Sequence, residues 1–271
     1  MKIDQLNLNL IFFDNPISRF YINFLKNNSI IKKVVIVSKY LIFKKFFMVN
    51  KFIKNNNFPL MFLRKKENKY FIDFVEEYFS LEKNFIKDSY TFQNIDNFDL
   101  DFINSESINS KKSMIYFNNN IHENYLYTGR EIINKKLLET KKNFFHFHPA
   151  FLPNMRGADI SLRSVFYKNE IGCTFFKINE KIDKGSIFFR EQKNIDRNVF
   201  KILKNLEFKD FYNFWYSFID PSIRLSLLKK IFLDKIEISV QKFETLKKEG
   251  EYFSFLHNEE INIIYNNLKN D

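Results

Sequence analysis

Leu6 to Phe13 alternates apolar and polar residues and then turns continuously apolar, the pattern of a strand entering a sheet buried on both faces. Asp14-Asn15-Pro16 follows, a capping side chain with a proline suited to a first helical turn, and Phe20, Tyr21, Phe24 and Leu25 then recur at helical spacing. After Asn27-Asn28, Val34 to Val37 reads as a second buried strand. Strand, capped helix and strand in under forty residues make a βαβ unit, which predicts a parallel sheet. The first turn lacks a glycine-rich phosphate fingerprint, so a dinucleotide cofactor of the usual kind is not expected.

Further along, the pattern predicts a helix over 70–81, loop over the Asn/Asp/Ser-rich stretch 94–110, and a strand at Ser113 to Phe117 broken by Asn118-Asn119-Asn120. A short helix is expected at Ile132 to Leu138, with strands at Phe144 to His148, Cys173 to Ile178 and Ser186 to Arg190. From about residue 196 the character changes. Phe200 to Phe232 is apolar at helical spacing with an interruption at Asp220-Pro221, and 237–256 reads as two strands around Lys247-Lys248-Glu249-Gly250. The expected architecture is α/β: a Rossmann-like, open, mostly parallel sheet with helices on both faces, over residues 1–195. A small C-terminal appendage of helices and a β-hairpin would occupy 196–271.

Composition narrows the function classes. The chain has 271 residues, 45% hydrophobic and with 36 Phe, enough for a large core without covalent help. A single cysteine, Cys173, excludes an internal disulfide, argues against a cysteine-rich zinc site and fits a reducing cytoplasm; within an apolar run it reads as a core residue. Met1 to Phe13 lacks the features of a signal peptide, and no window of about twenty residues is free of charge, so no membrane span is expected. The segment 40–62 comes nearest, but it contains Lys44, Lys45, Lys51 and Lys54. Net charge is +11, carried by scattered lysine pairs in a chain rich in Lys, Asn, Ile and Phe throughout. That favours an anionic small substrate such as a nucleotide or folate over a nucleic acid.

Chemistry concentrates at 146–185. Of only 5 Gly, 5 Pro and 4 His, three glycines (Gly157, Gly172, Gly185), two prolines and two histidines fall there. A strand over 144–148 puts His146 and His148 on one face with Phe147 opposite, and Pro149 ends the ladder. His148 then stands at a strand's carboxyl end, the usual position of a site in an open α/β sheet. His-x-His with a distant Asp is also a possible metal-ligand set, but zinc sites need three or four ligands and His122 and His257 have no obvious partners.

His148-Pro149-x-x-Leu152-Pro153-x-x-Arg156-Gly157, followed by a buried strand and Ile182-Asp183-x-Gly185, resembles the formyltransferases that use N10-formyltetrahydrofolate. These act on methionyl-tRNA, on glycinamide ribonucleotide or on nucleotide-linked amino sugars. The resemblance spans 125–192 and extends to 1–40. It implies attack of a primary amine on the formyl carbon through a tetrahedral oxyanion. His148 would stabilise that oxyanion by a hydrogen bond or proton, and Asp183 would hold His148 charged and relay the amine's proton. Familiar members carry asparagine where this chain has His146. An imidazole still donates one hydrogen bond but cannot reproduce an amide's donors and acceptor, so His146 either takes over that role or weakens the site.

The resemblance further implies that the pterin lies against two backbone stretches, Gly129-Arg130-Glu131-Ile132 and Ile178-Asn179-Glu180. Arg156 would position the motif loop or contact substrate. Tyr252 and Phe253 would stack on a nucleotide base, with at least one of them packing on the core instead. The tail resembles amino-sugar formyltransferases more than the tRNA enzymes, which append a β-barrel. The implied activity is formyl transfer to a nucleotide-activated amino sugar for a surface polysaccharide, in the cytoplasm, with tetrahydrofolate as product and no metal. A tRNA formyltransferase and a non-catalytic binding module on the same fold remain the alternatives, and Phe-rich tail surfaces leave a homodimer open.

Overall fold

The computed structural model describes residues 3–26, 30–31, 33–39, 58–91, 98–196, 198–234, 236–243, 246 and 250–270. The expected break at Asn27-Asn28, the apolar stretch 40–57, the start of the 94–110 loop and Lys247-Lys248-Glu249 lie outside them.

Seven strands form the main sheet: β1 (Asn9–Phe12), β2 (Lys33–Val37), β3 (Asp99–Ile103), β4 (Asn124–Tyr127), β5 (Asn143–His148), β7 (Glu170–Lys177) and β8 (Ile187–Asn194). Their order is β3-β2-β1-β4-β5-β7-β8; β3 to β5 run parallel, and β7 and β8 are antiparallel additions at one edge. The mostly parallel α/β sheet is as the sequence predicts. Strand period two sorts the core into two layers. Leu10, Phe12, Val34, Ile36, Leu126, Phe145 and Phe147 face one side, and Ile11, Val35, Val37, Tyr125, Tyr127 and Phe144 the other.

Helices cover both faces. On the first side lie α1 (Pro16–Leu25), α3 (Lys69–Tyr78), α4 (Phe85–Thr91) and α10 (Asp220–Leu233), together with α2 (Phe58–Arg64). α5 (Lys111–Asn119) and α6 (Lys135–Leu138) put Phe117 and Leu137 on the second. α1 begins as its sequence dictates: the Asn15 side chain accepts the Ser18 amide at 2.9 Å, and Pro16 occupies the first turn. The remaining elements are β6 (Met155–Gly157), α7 (Ile160–Lys168), α8 (Asn198–Leu203), α9 (Phe208–Phe214), β9 (Glu251–Phe253) and α11 (Asn258–Asn270).

Four local expectations differ from the structure. Ser113 to Phe117 is helical, not a strand: Ser110 caps α5 by accepting the Ser113 amide at 3.1 Å, and Ser113 and Phe117, one turn apart, form its buried face. Within the supposed loop 94–110, Asp99–Ile103 is a strand whose exposed acids suit a sheet edge; Lys33 of β2 answers Asp101 at 2.9 Å. Pro221 interrupts nothing. A π-helical turn, Trp215–Ile219, leads directly into α10 with Pro221 near its start, and the Ser217 carbonyl, four residues before the proline, accepts the Tyr90 hydroxyl at 2.6 Å instead.

The fourth is the hairpin. Among the described residues of 237–256 only Glu251–Phe253 forms a strand, and it pairs in parallel with β6 across Arg156↔Tyr252 and Gly157↔Phe253, while Gln241 makes an isolated bridge to Ile187. The part beyond 195 also shares the sheet's core. Trp215, Phe218 and Leu225 belong to the same cluster as Phe20 and Phe147. No helix among the described residues is long and apolar enough to cross a membrane.

Candidate active site

The order of the parallel strands reverses between β1 and β4, and the carboxyl ends there define the crevice in which α/β proteins hold ligands. Thr128, just past β4, seals its floor. Its hydroxyl donates to the Ile11 carbonyl at 2.6 Å, and its carbonyl accepts the Asn15 amide group at 2.9 Å. The β4–β5 ladder stops at Leu126↔Phe145. Beyond that pair the Tyr127 carbonyl takes the His146 ring, Nδ1 to O 2.8 Å, in place of a strand amide.

His148, at the end of β5, is 3% exposed, and its two ring nitrogens face oxygens. Nε2 lies 3.2 Å from the Met155 carbonyl and Nδ1 3.6 Å from Asp183 Oδ1. Both partners only accept; the Met155 carbonyl is within hydrogen-bond distance and holds the neutral ring's one hydrogen on Nε2, while Asp183 lies beyond that distance from Nδ1 and acts through its charge. Burial lowers the His148 pKa, and the Asp183 charge opposes that shift.

Asp183 is 35 residues away in sequence and is brought in by a tight turn. It adopts φ 53°, and Asn179 closes the turn by donating to the Lys184 carbonyl at 3.1 Å and accepting the Lys181 amide at 3.0 Å. Gly185 ends the turn where a Cβ would sit 1.6 Å from the Lys177 carbonyl oxygen, so only glycine fits. The second oxygen of Asp183 accepts the Gly157 amide at 2.8 Å. Gly157 itself has φ 105°, and a Cβ there would lie 2.0 Å from the Phe253 carbonyl oxygen.

His146 shares the face of His148 but is held differently. Besides Tyr127, its Nε2 meets Arg224 Nη1 at 3.0 Å. The guanidinium is a donor only, so Nε2 is the acceptor and the single ring hydrogen is on Nδ1, spent on Tyr127. Burial first, and Arg224 second, push the His146 pKa down to about 3. In this state His146 has no N–H left for an oxyanion.

Each of the two stretches expected to line a pterin is tied to a neighbouring element. Tyr127 donates to the Glu131 carbonyl at 2.7 Å, and the Glu131 carboxylate accepts the Ile108 amide at 3.0 Å, which folds Gly129 to Ile132 over the end of β4. Ile132 is exposed. The Ile178 amide bonds the Phe144 carbonyl at 2.7 Å, and Glu180 reaches Lys135 of α6 at 3.5 Å. Arg156 lies near Tyr252, 6.0 Å from the ring centre, and donates to the Gly250 carbonyl at 3.2 Å, tying the motif loop to β9. Tyr252 is 55% exposed beside it, whereas Phe253 packs on Ala150, Met155 and Ile160.

Sequence reading missed Arg224, Asp220 and Ser161, the charged and polar groups behind His146. Their signal was an Asp220–Arg224 pair one helical turn apart inside an apolar stretch. Among the described residues no three His, Cys, Asp or Glu side chains gather as a metal would require.

No protein-family model matches this sequence, and no curated protein matches it. Solved structures similar to this chain include a 4-N formyltransferase from Francisella tularensis, with 15% identity, TM-score 0.49, and 96% of this chain and 86% of that one covered. Another is a sugar 3N-formyl transferase crystallised with dTDP and 5-N-formyl-THF, at 16% identity, TM-score 0.46 and coverage of 92% and 70%. A third is methionyl-tRNA formyltransferase from Clostridium thermocellum, at 14%, 0.41, and 85% and 75%. All three are formyltransferases.

Proposed function

We propose that this protein transfers a formyl group from N10-formyltetrahydrofolate to the primary amine of a nucleotide-linked amino sugar, a step toward a surface polysaccharide carried out in the cytoplasm. The observation that carries the reading is the meeting of His148 and Asp183, 3.6 Å apart at the carboxyl end of β5, with Asp183 fixed by the Gly157 amide. The same residues stand in the sequence motifs that resemble this family.

In this reading the amine nitrogen attacks the formyl carbon and the carbonyl π electrons move to oxygen. His148 Nε2–H leaves the Met155 carbonyl and donates to that oxyanion, an interaction of a kind typically worth ~10²–10³ in rate. Asp183, with the Nδ1 lone pair of His148, takes the proton the amine loses. As the oxyanion collapses the carbon–N10 bond breaks, and that proton goes to N10 of the departing tetrahydrofolate. The ring stays neutral at rest because it is buried, so it is ready to gain charge only as charge develops.

Gly129 to Ile132 and Ile178 to Glu180 would hold the pterin edge through backbone groups. The exposed Tyr252 beside Arg156 would receive the nucleotide base, with the arginine near its phosphates. The test is incubation with N10-formyltetrahydrofolate and a panel of aminodeoxysugar nucleotides, with charged initiator tRNA alongside. Release of tetrahydrofolate with a sugar is expected; release with tRNA alone would move the acceptor assignment to tRNA, which the charge of +11 also suits.

A further inference from the structure

Behind the two histidines runs a chain of hydrogen bonds whose direction is fully determined. Trp215 Nε1–H donates to Ser161 Oγ at 2.9 Å, and Ser161 donates to Asp220 Oδ1 at 2.8 Å. The other Asp220 oxygen accepts Arg224 Nε at 2.8 Å, and Arg224 Nη1 donates to both His146 Nε2, at 3.0 Å, and the Phe147 carbonyl. His146 Nδ1–H then donates to the Tyr127 carbonyl. Every member except Ser161 and His146 has its role forced by its own chemistry, since indole and guanidinium only donate and carboxylates and carbonyls only accept, and those two take their roles from the partners on either side. One imidazole therefore links α10 to two strands, and it does so as a single tautomer.

That placement matters because the β4–β5 ladder has already ended at Leu126↔Phe145. Past it β4 and β5 share no further register pair among the described residues. The His146 ring spans the gap, and Arg224 grips the same strand twice, at the ring and at the carbonyl of Phe147, the residue before His148.

We propose that Arg224 is a positioning residue: its guanidinium locks His146 as the Nδ1–H tautomer and so ties the carboxyl ends of β4 and β5 together beneath His148. Asp220 orients the guanidinium, and Ser161 and Trp215 orient Asp220. The groups facing His146 are Arg224 from α10, Tyr127 from β4, His148 from its own strand and Asp183 from the turn after β7; Asp220 of α10 and Tyr21 of α1 face the guanidinium. The consequence for activity rests on the formyl-transfer reading; the tautomer does not.

The experiment is ¹⁵N NMR of the histidine ring nitrogens in the full chain across about pH 5 to 9, with formyl-transfer kinetics on the same samples. Wild type is expected to show His146 protonated at Nδ1, unprotonated at Nε2 and not titrating. In Arg224→Met the ring should lose the single tautomer and titrate. The same variant should lower kcat about 10- to 100-fold with KM for the formyl donor changed less than about threefold, because the fault is in placing His148. Arg224→Lys, which keeps the charge without the fork, should fall between. An Nε2–H tautomer or a titrating His146 in wild type would overturn the proposal, whether or not Arg224→Met folds. So would wild-type kcat in a folded Arg224→Met. If wild type transfers no formyl group at all, the functional reading fails, while the ring-nitrogen spectra still decide the clamp.

Discussion

The Gly157 amide donates to Asp183 Oδ2 at 2.8 Å, across 26 residues of chain, and so turns the other carboxylate oxygen toward His148. The bond depends on a backbone that only glycine adopts comfortably, and that backbone is pinned in turn by Phe253 of β9. The carboxylate, the motif loop and a strand about a hundred residues downstream are one mechanical unit.

Gly157→Ala follows from this directly. With φ at 105° and no room for a Cβ beside the Phe253 carbonyl, the substitution strains the loop and loosens the β6–β9 pairing. A loss of about 1–3 kcal/mol is expected in urea unfolding. Asp183 would lose its tether too, so turnover should fall further than stability alone accounts for.

Acid should destabilise the fold through His146. Its pKa is near 3 when folded against an ordinary 6.5, because burial and Arg224 exclude the charged ring. Between those values the unfolded chain binds a proton that the folded one refuses. Stability is therefore fully present above about pH 6.5 and declines as pH falls toward 3. Urea unfolding at pH 7 and pH 5 should show wild type losing about 2 kcal/mol more than His146→Asn, which has no ring to protonate. Equal losses in the two proteins would contradict a neutral His146 held by Arg224 and Tyr127.

Much of this was legible in the chain. Leu6 to Phe13, the Asn15 cap with Pro16, and Val34 to Val37 announce the βαβ unit because buried parallel strands leave continuous apolar runs. Phe144 to His148 shows its alternation plainly. Ser113 to Phe117 misled because a short apolar run has no reliable period, and the deciding signal was the Ser110 cap before it. Asp99–Ile103 hid because an edge strand shows acids to water. The hairpin failed for a different reason: Glu251–Phe253 finds its partner in β6, and no local pattern announces a pairing across about a hundred residues. Separation along the chain, 78 residues from His146, also concealed Arg224, whose role appears only once α10 lies against β5.

Asp14 and Arg19 form a buried ion pair at 2.7 Å at the start of α1, with side chains 5% and 0% exposed, and Arg19 also donates to the Tyr90 carbonyl at 3.1 Å. Asp14→Ala leaves the guanidinium buried without its counter-charge. A loss of about 3–5 kcal/mol is expected by chemical denaturation.

Tyr252 and Phe253, adjacent in β9, should separate cleanly. Phe253→Ala removes a ring packed on Met155 and Ile160 and under Arg163, whose guanidinium carbon stands 5.0 Å from the ring centre, and should lower the melting temperature. Tyr252→Ala, at an exposed site, should leave melting within about a degree. It should raise KM for the nucleotide sugar about tenfold with little change in kcat, the signature of lost ground-state binding. Unchanged KM would remove Tyr252 from the acceptor site.

The most direct test of the central claim is tetrahydrofolate release from N10-formyltetrahydrofolate, in the presence of an accepted amine, by wild type, His148→Ala and Asp183→Ala. The account predicts turnover in wild type and a fall of about 10²-fold or more in each variant, with the fold intact by circular dichroism. Release at wild-type rate from either variant would contradict it.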